Sequence, residues 1–156
     1  MSESKRIVVT GATGFIGCHL VESLRKKGIE PLQIDISLGF DICDERLLAE
    51  TAPFDVLVHL AGKTFVPDSF KTSHEFFKIN ILGALNALEL CKKYNARFIS
   101  LSSYVYGKPE YLPVDEAHPV RMWNPYASSK IIAEQVAQAY SQNFNLPAII
   151  LRVFNV

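Results

Sequence analysis

Arg6-Ile7-Val8-Val9-Thr10-Gly11-Ala12-Thr13-Gly14-Phe15-Ile16-Gly17 is the stretch that decides how this chain is read. The β-branched run from Ile7 to Thr10 predicts a buried parallel strand, and it passes directly into glycines at 11, 14 and 17 that open an amphipathic helix. Gly11 suits a tight turn, Gly14 lets backbone approach a pyrophosphate, and Gly17 lets the helix pack close on the strand. The helix N-terminus then offers N–H groups to an anion. Glycine-rich turns also close ordinary βα loops, so the remainder of the chain has to discriminate.

Outward from this turn, 156 residues predict a single domain, here 1–156, with one core of useful size. Sixteen basic residues balance 16 acidic ones, which leaves no electrostatic footprint for nucleic acid or an acidic membrane surface. The expected partner is a small molecule or another protein. Cys18, Cys43 and Cys91 are far apart and form no C-x-x-C pair, as expected of small hydrophobes in a reducing cytoplasm. No metal site is expected, because His19, His74 and His118 lack partners at ligand spacing. No apolar signal core precedes the first strand and no later run reaches membrane length, so a soluble cytoplasmic protein is expected.

After the glycines, Phe15, Ile16, His19, Leu20, Ser23 and Leu24 recur at helical spacing, and Arg25-Lys26-Lys27-Gly28 reads as a cationic helix end with its cap. Pro31 to Ile36 predicts a second strand. Asp35 near its end lies about 20 residues beyond the turn, where an acid meets the adenosine ribose hydroxyls and repels a 2′-phosphate; this favours NAD over NADP. A short helix is expected from Asp44 to Ala52, then a third strand, Phe54 to Gly62, whose small last residues leave room for a cofactor. Lys63 to Lys71 reads as a loop over the strand ends. A long helix is expected from Ser73 to Tyr94, its apolar stripe interrupted by Asn80 and Gly83. Arg97 to Ser103 predicts a fourth strand with a hydroxyl-rich end, Pro125 opens a helix to about Asn143, and Pro147 to Phe154 predicts a fifth strand. Such alternation predicts an α/β fold, a Rossmann-type doubly wound parallel sheet with helices on both faces.

Tyr126 and Lys130 are four apart on the helix that Pro125 opens and so share a face. A surface pair of this kind occurs without function. Chemically, an ammonium beside a phenol suits general acid–base work, and Ser102 at the preceding strand end is placed to hold a substrate oxygen.

Thr10 to Gly17, His59-Leu60-Ala61-Gly62, Asn80 to Gly83, Leu101 to Gly107, Asn124 to Lys130 and Leu151 to Val156 occur in an order that resembles the extended short-chain dehydrogenase/reductases. Within these the chain is similar to the NAD-dependent epimerase/dehydratase family acting on nucleotide-sugars. The resemblance implies Ser102, Tyr126 and Lys130 as catalytic residues. It implies an NAD site made of Gly11, Thr13, Gly14, Phe15, Ile16, Gly17, Asp35, Asp41, Ile42, Leu60, Ala61, Gly62, Asn80, Tyr126 and Lys130. Thr64, Ser102, Ser103 and Asn155 are implied on the side of the nucleotide-sugar substrate. Phe40 stands where the family usually has glycine before the adenine-contacting Asp41.

Family dehydratases place acids immediately after the Ser/Thr equivalent to Ser102, whereas this chain has Ser103 and Tyr104, which points to an epimerase or a simple ketone/alcohol oxidoreductase. The resemblance also implies a smaller carboxyl-terminal domain beyond Phe154-Asn155-Val156, making this chain the cofactor-binding part. A nucleotide-4-keto-sugar reductase and a non-catalytic NAD-binding sensor or scaffold are the alternatives. The resemblance further implies a homodimer through the helix from Ser73 and the helix carrying Tyr126; Ile132, Val136 and Ala139 on the latter suit its seam or an intramolecular core equally.

Overall fold

A computed structural model describes residues 5–154. Five parallel strands, β1 (Ile7–Thr10), β2 (Leu32–Ile34), β3 (Val56–His59), β4 (Arg97–Ser102) and β5 (Ala148–Arg152), form one sheet in the order β2-β1-β3-β4-β5. The helices are α1 (Phe15–Lys26), α2 (Arg46–Glu50), α3 (Val66–Ser69), α4 (Ser73–Phe77), α5 (Gly83–Tyr94) and α6 (Pro125–Phe144). Consecutive residues of β1 go to opposite sides of the sheet, as the pleat requires. Val8 joins Leu47, Leu57, Leu88, Phe98 and Ala137 under α2, α5 and α6, while Val9 joins Ala12 and Val21 under α1. The sheet is thus covered on both faces, with Ile149 and Leu151 of β5 left exposed.

Several boundaries differ from the sequence reading. β2 ends at Ile34, and Ile36–Leu38 form a 3-10 turn capped by Asp35. The expected 44–52 helix shrinks to Arg46–Glu50, with the Asp44 carboxylate accepting from the Arg46 N–H at 2.9 Å. The expected 63–71 loop contains the helical turn α3, opened by Pro67. On α1 the buried residues are Gly17 and Val21; Phe15 is 70% exposed and meets His19 edge-on instead of joining the core.

The interruption expected at Asn80 has a structural cause. Between α4 and α5 the chain makes a π-turn, Lys78–Leu82, which adds a residue to the helical repeat and brings Asn80 inside, 2% exposed. Of the three expected seam residues, Val136 packs on the main core, Ile132 is half-buried and Ala139 is exposed. Among the described residues no helix is long and apolar enough to cross a membrane, and no cluster of His, Cys, Asp or Glu is arranged to hold a metal.

Helices α5 and α6 end in the left-handed residues Asn95 and Asn145, both at φ 51°. Asn tolerates this conformation better than other side chains, and glycine better still. Asn95→Ala should lower the unfolding free energy by about 1 kcal/mol and Asn95→Gly should leave it unchanged or raise it, measured by urea denaturation.

Candidate active site

The glycine turn is built by close approach. Gly11 lies at φ +66°, and a Cβ there would stand 2.6 Å from the Ala61 nitrogen at the tip of β3. A Cβ on Gly17 would stand 2.1 Å from the Gly11 carbonyl oxygen, so this glycine is demanded by the turn's own backbone and not by helix packing on the strand. Gly14 precedes α1 and meets little besides that same carbonyl, at 3.3 Å, leaving its surroundings open for a phosphate to approach.

Beneath the turn, Thr10 and His59 tie β1 to β3. Thr10 Oγ1 accepts the N–H groups of Leu60 and Ala61, both at 3.2 Å, so its own hydrogen is free to donate to His59 Nδ1 at 2.8 Å. That assignment puts the imidazole proton on Nε2. Burial, with the Lys130 charge adding to it, pushes the His59 imidazole down to about 3.

Two adjoining cavities open over the carboxyl ends of the strands. The first, about 390 Å³, is lined by Gly11, Thr13, Gly14, Asp35, Ile36, Phe40, Asp41, Ile42, Ala61 and Gly62, among others. Burial works against ionisation of Asp35, but the N–H groups of Ser37 (3.0 Å) and Thr13 (3.1 Å) and nearby hydroxyls hold its carboxyl below the usual range. The second, about 610 Å³, gathers Phe15, Ile16, Gly17, Leu60, Thr64, Ser102, Ser103, Tyr126 and Lys130 around Gly11, Gly14 and Gly62. A cavity of about 700 Å³ beside β5 meets the second at Val153 and Phe154; it lies against the ion-paired Arg152 and Glu134 (2.7 Å) and includes neither the glycine turn nor Ser102, Tyr126 or Lys130.

The residues expected to act together therefore converge from separate elements. Ser102 ends β4; its Oγ is buried and has no hydrogen-bond partner among the described residues. Tyr126 and Lys130 come from the first turns of α6, whose cap is Asn124: its Oδ1 accepts the Ala127 N–H at 2.7 Å. Buried Phe76 stands edge-on to the Tyr126 ring, centroids 6.4 Å apart. Lys130 Nζ donates to the Leu101 carbonyl at 2.6 Å, and desolvation pushes its ammonium down to about 8 against the pull of Glu134. Asn155 lies outside the described residues.

Asn80 lines neither the second cavity nor the first; it supports both. Its Oδ1 accepts the Lys63 N–H at 2.8 Å, and its Nδ2 donates to the Lys63 carbonyl at 3.1 Å and to Ser129 Oγ at 2.8 Å. Ser129 Oγ in turn donates to the Tyr126 carbonyl at 2.7 Å. Ser129, Phe76 and Thr10 are functional residues beyond the expected site; Thr10 and Ser129 fall within the Thr10–Gly17 and Asn124–Lys130 stretches, whereas Phe76 has no sequence signal beyond an apolar helix stripe.

A family model described as "NAD dependent epimerase/dehydratase family" matches residues 7–156. The UDP-glucose 4-epimerase of Homo sapiens is 30% identical over 97% of this chain and 53% of its own length. The dTDP-D-glucose 4,6-dehydratase of Bos taurus is 32% identical over 99% of this chain and 51% of its own. The crystal structure of UDP-glucose 4-epimerase from Brucella ovis in complex with NAD superposes with a TM-score of 0.89 at 29% identity, covering 97% of this chain and 52% of that one. The chain spans about half the length of the curated relatives it matches.

Acid should find the Thr10–His59 tie first. Unfolded, the imidazole titrates near its ordinary 6.5, and folded near 3. The unfolded chain therefore takes up the proton first, so this contribution is complete above pH 6.5 and is lost as pH falls toward 3, amounting to about 2 kcal/mol near pH 5. Thr10→Val, which orphans the His59 nitrogen and the Ala61 N–H while the Leu60 N–H keeps the Thr10 carbonyl at 3.1 Å, should cost about 2–4 kcal/mol in urea unfolding at neutral pH.

Proposed function

The chain belongs to the NAD dependent epimerase/dehydratase family, and from that membership we propose that it forms the cofactor-binding and catalytic part of an NAD-dependent nucleotide-sugar epimerase-like oxidoreductase. The observation that carries this reading is the buried Ser102 hydroxyl, without a hydrogen-bond partner among the described residues, facing the same cavity as Tyr126 and Lys130. A buried hydroxyl without a partner is costly, and a substrate hydroxyl or carbonyl oxygen is the partner it lacks.

The residues present fit the cofactor. A Cβ at Gly11 or Gly17 would strike backbone, while the open side of Gly14 and the first-turn N–H groups of α1 would take the pyrophosphate. Asp35, already ionised by its hydrogen bonds, would take the adenosine ribose hydroxyls and disfavour a 2′-phosphate; Asp41, Ile42, Leu60, Ala61 and Gly62 complete that side. Lys130 would hold the other ribose. Bound NAD would supply a hydride acceptor and donor for a sugar carbon.

The chain's own residues supply the proton chemistry. Ser102 would fix the reacting sugar oxygen, Tyr126 would take its proton or return it, and the Lys130 charge would favour the phenolate during that transfer. The Asn80–Ser129 tie and the edge-on Phe76 hold Tyr126 in place. Thr64 and Ser103, both on the second cavity, are assigned to the sugar side together with Asn155.

Among the described residues that line this cavity there is no carboxylate. Elimination of water needs a further acid and base, so oxidation and re-reduction of an alcohol fits better than dehydration. A nucleotide-4-keto-sugar reductase would use the same residues and differ in consuming the cofactor. The free cysteines Cys18, Cys43 and Cys91 suit a reducing cytoplasm, and a homodimer through α6 belongs to the same proposal.

With NAD and a panel of nucleoside-diphosphate sugars, an epimerase should interconvert one of them with no net cofactor reduction. Tyr126→Phe should cut that turnover at least about a hundredfold while NAD affinity by calorimetry stays within a few fold. In a protein that also carries the implied carboxyl-terminal domain, NAD binding with no turnover on any sugar would instead favour a sensor or scaffold, and unchanged turnover in Tyr126→Phe would refute the acid–base assignment. Lys130→Met is expected to weaken NAD binding as well as turnover.

A further inference from the structure

The 390 Å³ cavity has a feature that its hydrogen-bonding residues do not explain. After Asp35 the chain turns back on itself: Leu38 N–H and Phe40 N–H both donate to the Asp35 carbonyl, at 2.9 and 3.0 Å, and Gly39 takes φ +86°. This turn displays Ile36, Leu38 and Phe40 to water at 74%, 46% and 45% exposure. Isolated exposed apolar residues are common, but here Ile36 and Phe40 line one cavity together with the buried Ile42. Bulk is held out at the rim of a polar ribose site, in a position where the resembled family usually has glycine.

The polar group nearest in sequence is poorly placed to discriminate. Asp41 is exposed, and its Oδ1 already accepts the Cys43 N–H at 2.9 Å. A hydrogen bond from a ring amino group to a solvated carboxylate exchanges with water at small net gain. An aromatic face, by contrast, gains from any planar base and reads none of its edge.

We propose that Phe40, with Ile36, forms an apolar wall that holds the purine of the dinucleotide by its ring face, so that the site is tolerant of the base's edge substituents. This rests on the reading that the cavity takes the adenosine end of NAD. It makes Phe40 a determinant of cofactor affinity, acting at a distance from the hydride-transfer chemistry and independent of it.

Calorimetric titrations of the chain with NAD, AMP and nicotinamide hypoxanthine dinucleotide test it. Phe40→Ala should weaken AMP and NAD by about tenfold, with far-UV circular dichroism unchanged. Replacing adenine by hypoxanthine should alter affinity by no more than about threefold. Phe40→Trp should retain binding, and AMP should quench the new indole, which is distinguishable by difference from the chain's one native Trp, Trp123. If wild type binds NAD while Phe40→Ala binds AMP equally well, or if hypoxanthine costs tenfold or more, the wall is refuted and the cofactor reading stands. If wild type binds neither NAD nor AMP, both fall.

Discussion

The constraint on which the remaining architecture depends is the near-contact between the ends of β1 and β3. Ala61 comes so close to Gly11 that no side chain fits between them, and beside the β1–β3 ladder and the Thr10 carbonyl the approach is held by Thr10 Oγ1, which takes two N–H groups from the β3 tip and gives its hydrogen to His59. With β3 pinned against the turn, Gly62 lines both cavities together with Gly11 and Gly14.

A second tie rests on the first. Next to Gly62, Lys63 stands where Asn80 satisfies both its N–H and its carbonyl, and the π-turn is the backbone adjustment that brings Asn80 within reach. Gly62 is hemmed in as a result: a Cβ there would lie 2.8 Å from Asn80 Oδ1. Through Ser129 the tie continues into α6, so the cradle floor and the helix bearing Tyr126 and Lys130 share one hydrogen-bonded frame. Asn80 is 2% exposed and its bond to Ser129 is fully buried, where an unmade bond is expensive, which makes the frame rigid.

What was legible in the sequence was what local spacing encodes. The strand, turn and helix around Gly11 depend on adjacent residues, and the shared face of Tyr126 and Lys130 on helical geometry; the structure has both. Ser102 was legible because parallel strands of such a sheet carry their polar ends to one side. The features that escaped depend on partners far along the chain. The π-turn needs Lys63 and Ser129, 17 and 49 residues from Asn80. Phe15 looked like a core residue by periodicity, yet the helix is turned so that Gly17 and Val21 face the sheet and Phe15 lies at the cavity. No periodicity distinguishes those two rotations of α1.

The strand order β2-β1-β3-β4-β5 carries a dynamic consequence. β3 is the middle strand, paired on both sides, while β2 and β5 each have one neighbour and β5 leaves Ile149 and Leu151 in water. Opening motions begin where backbone amides are least protected, at the two margins, and reach the centre only with global unfolding. Amides of Val9 and Val58 are therefore among the last to exchange with solvent, and the nucleotide cradle, anchored at their strand ends, stays assembled through the fraying of both edges of the sheet.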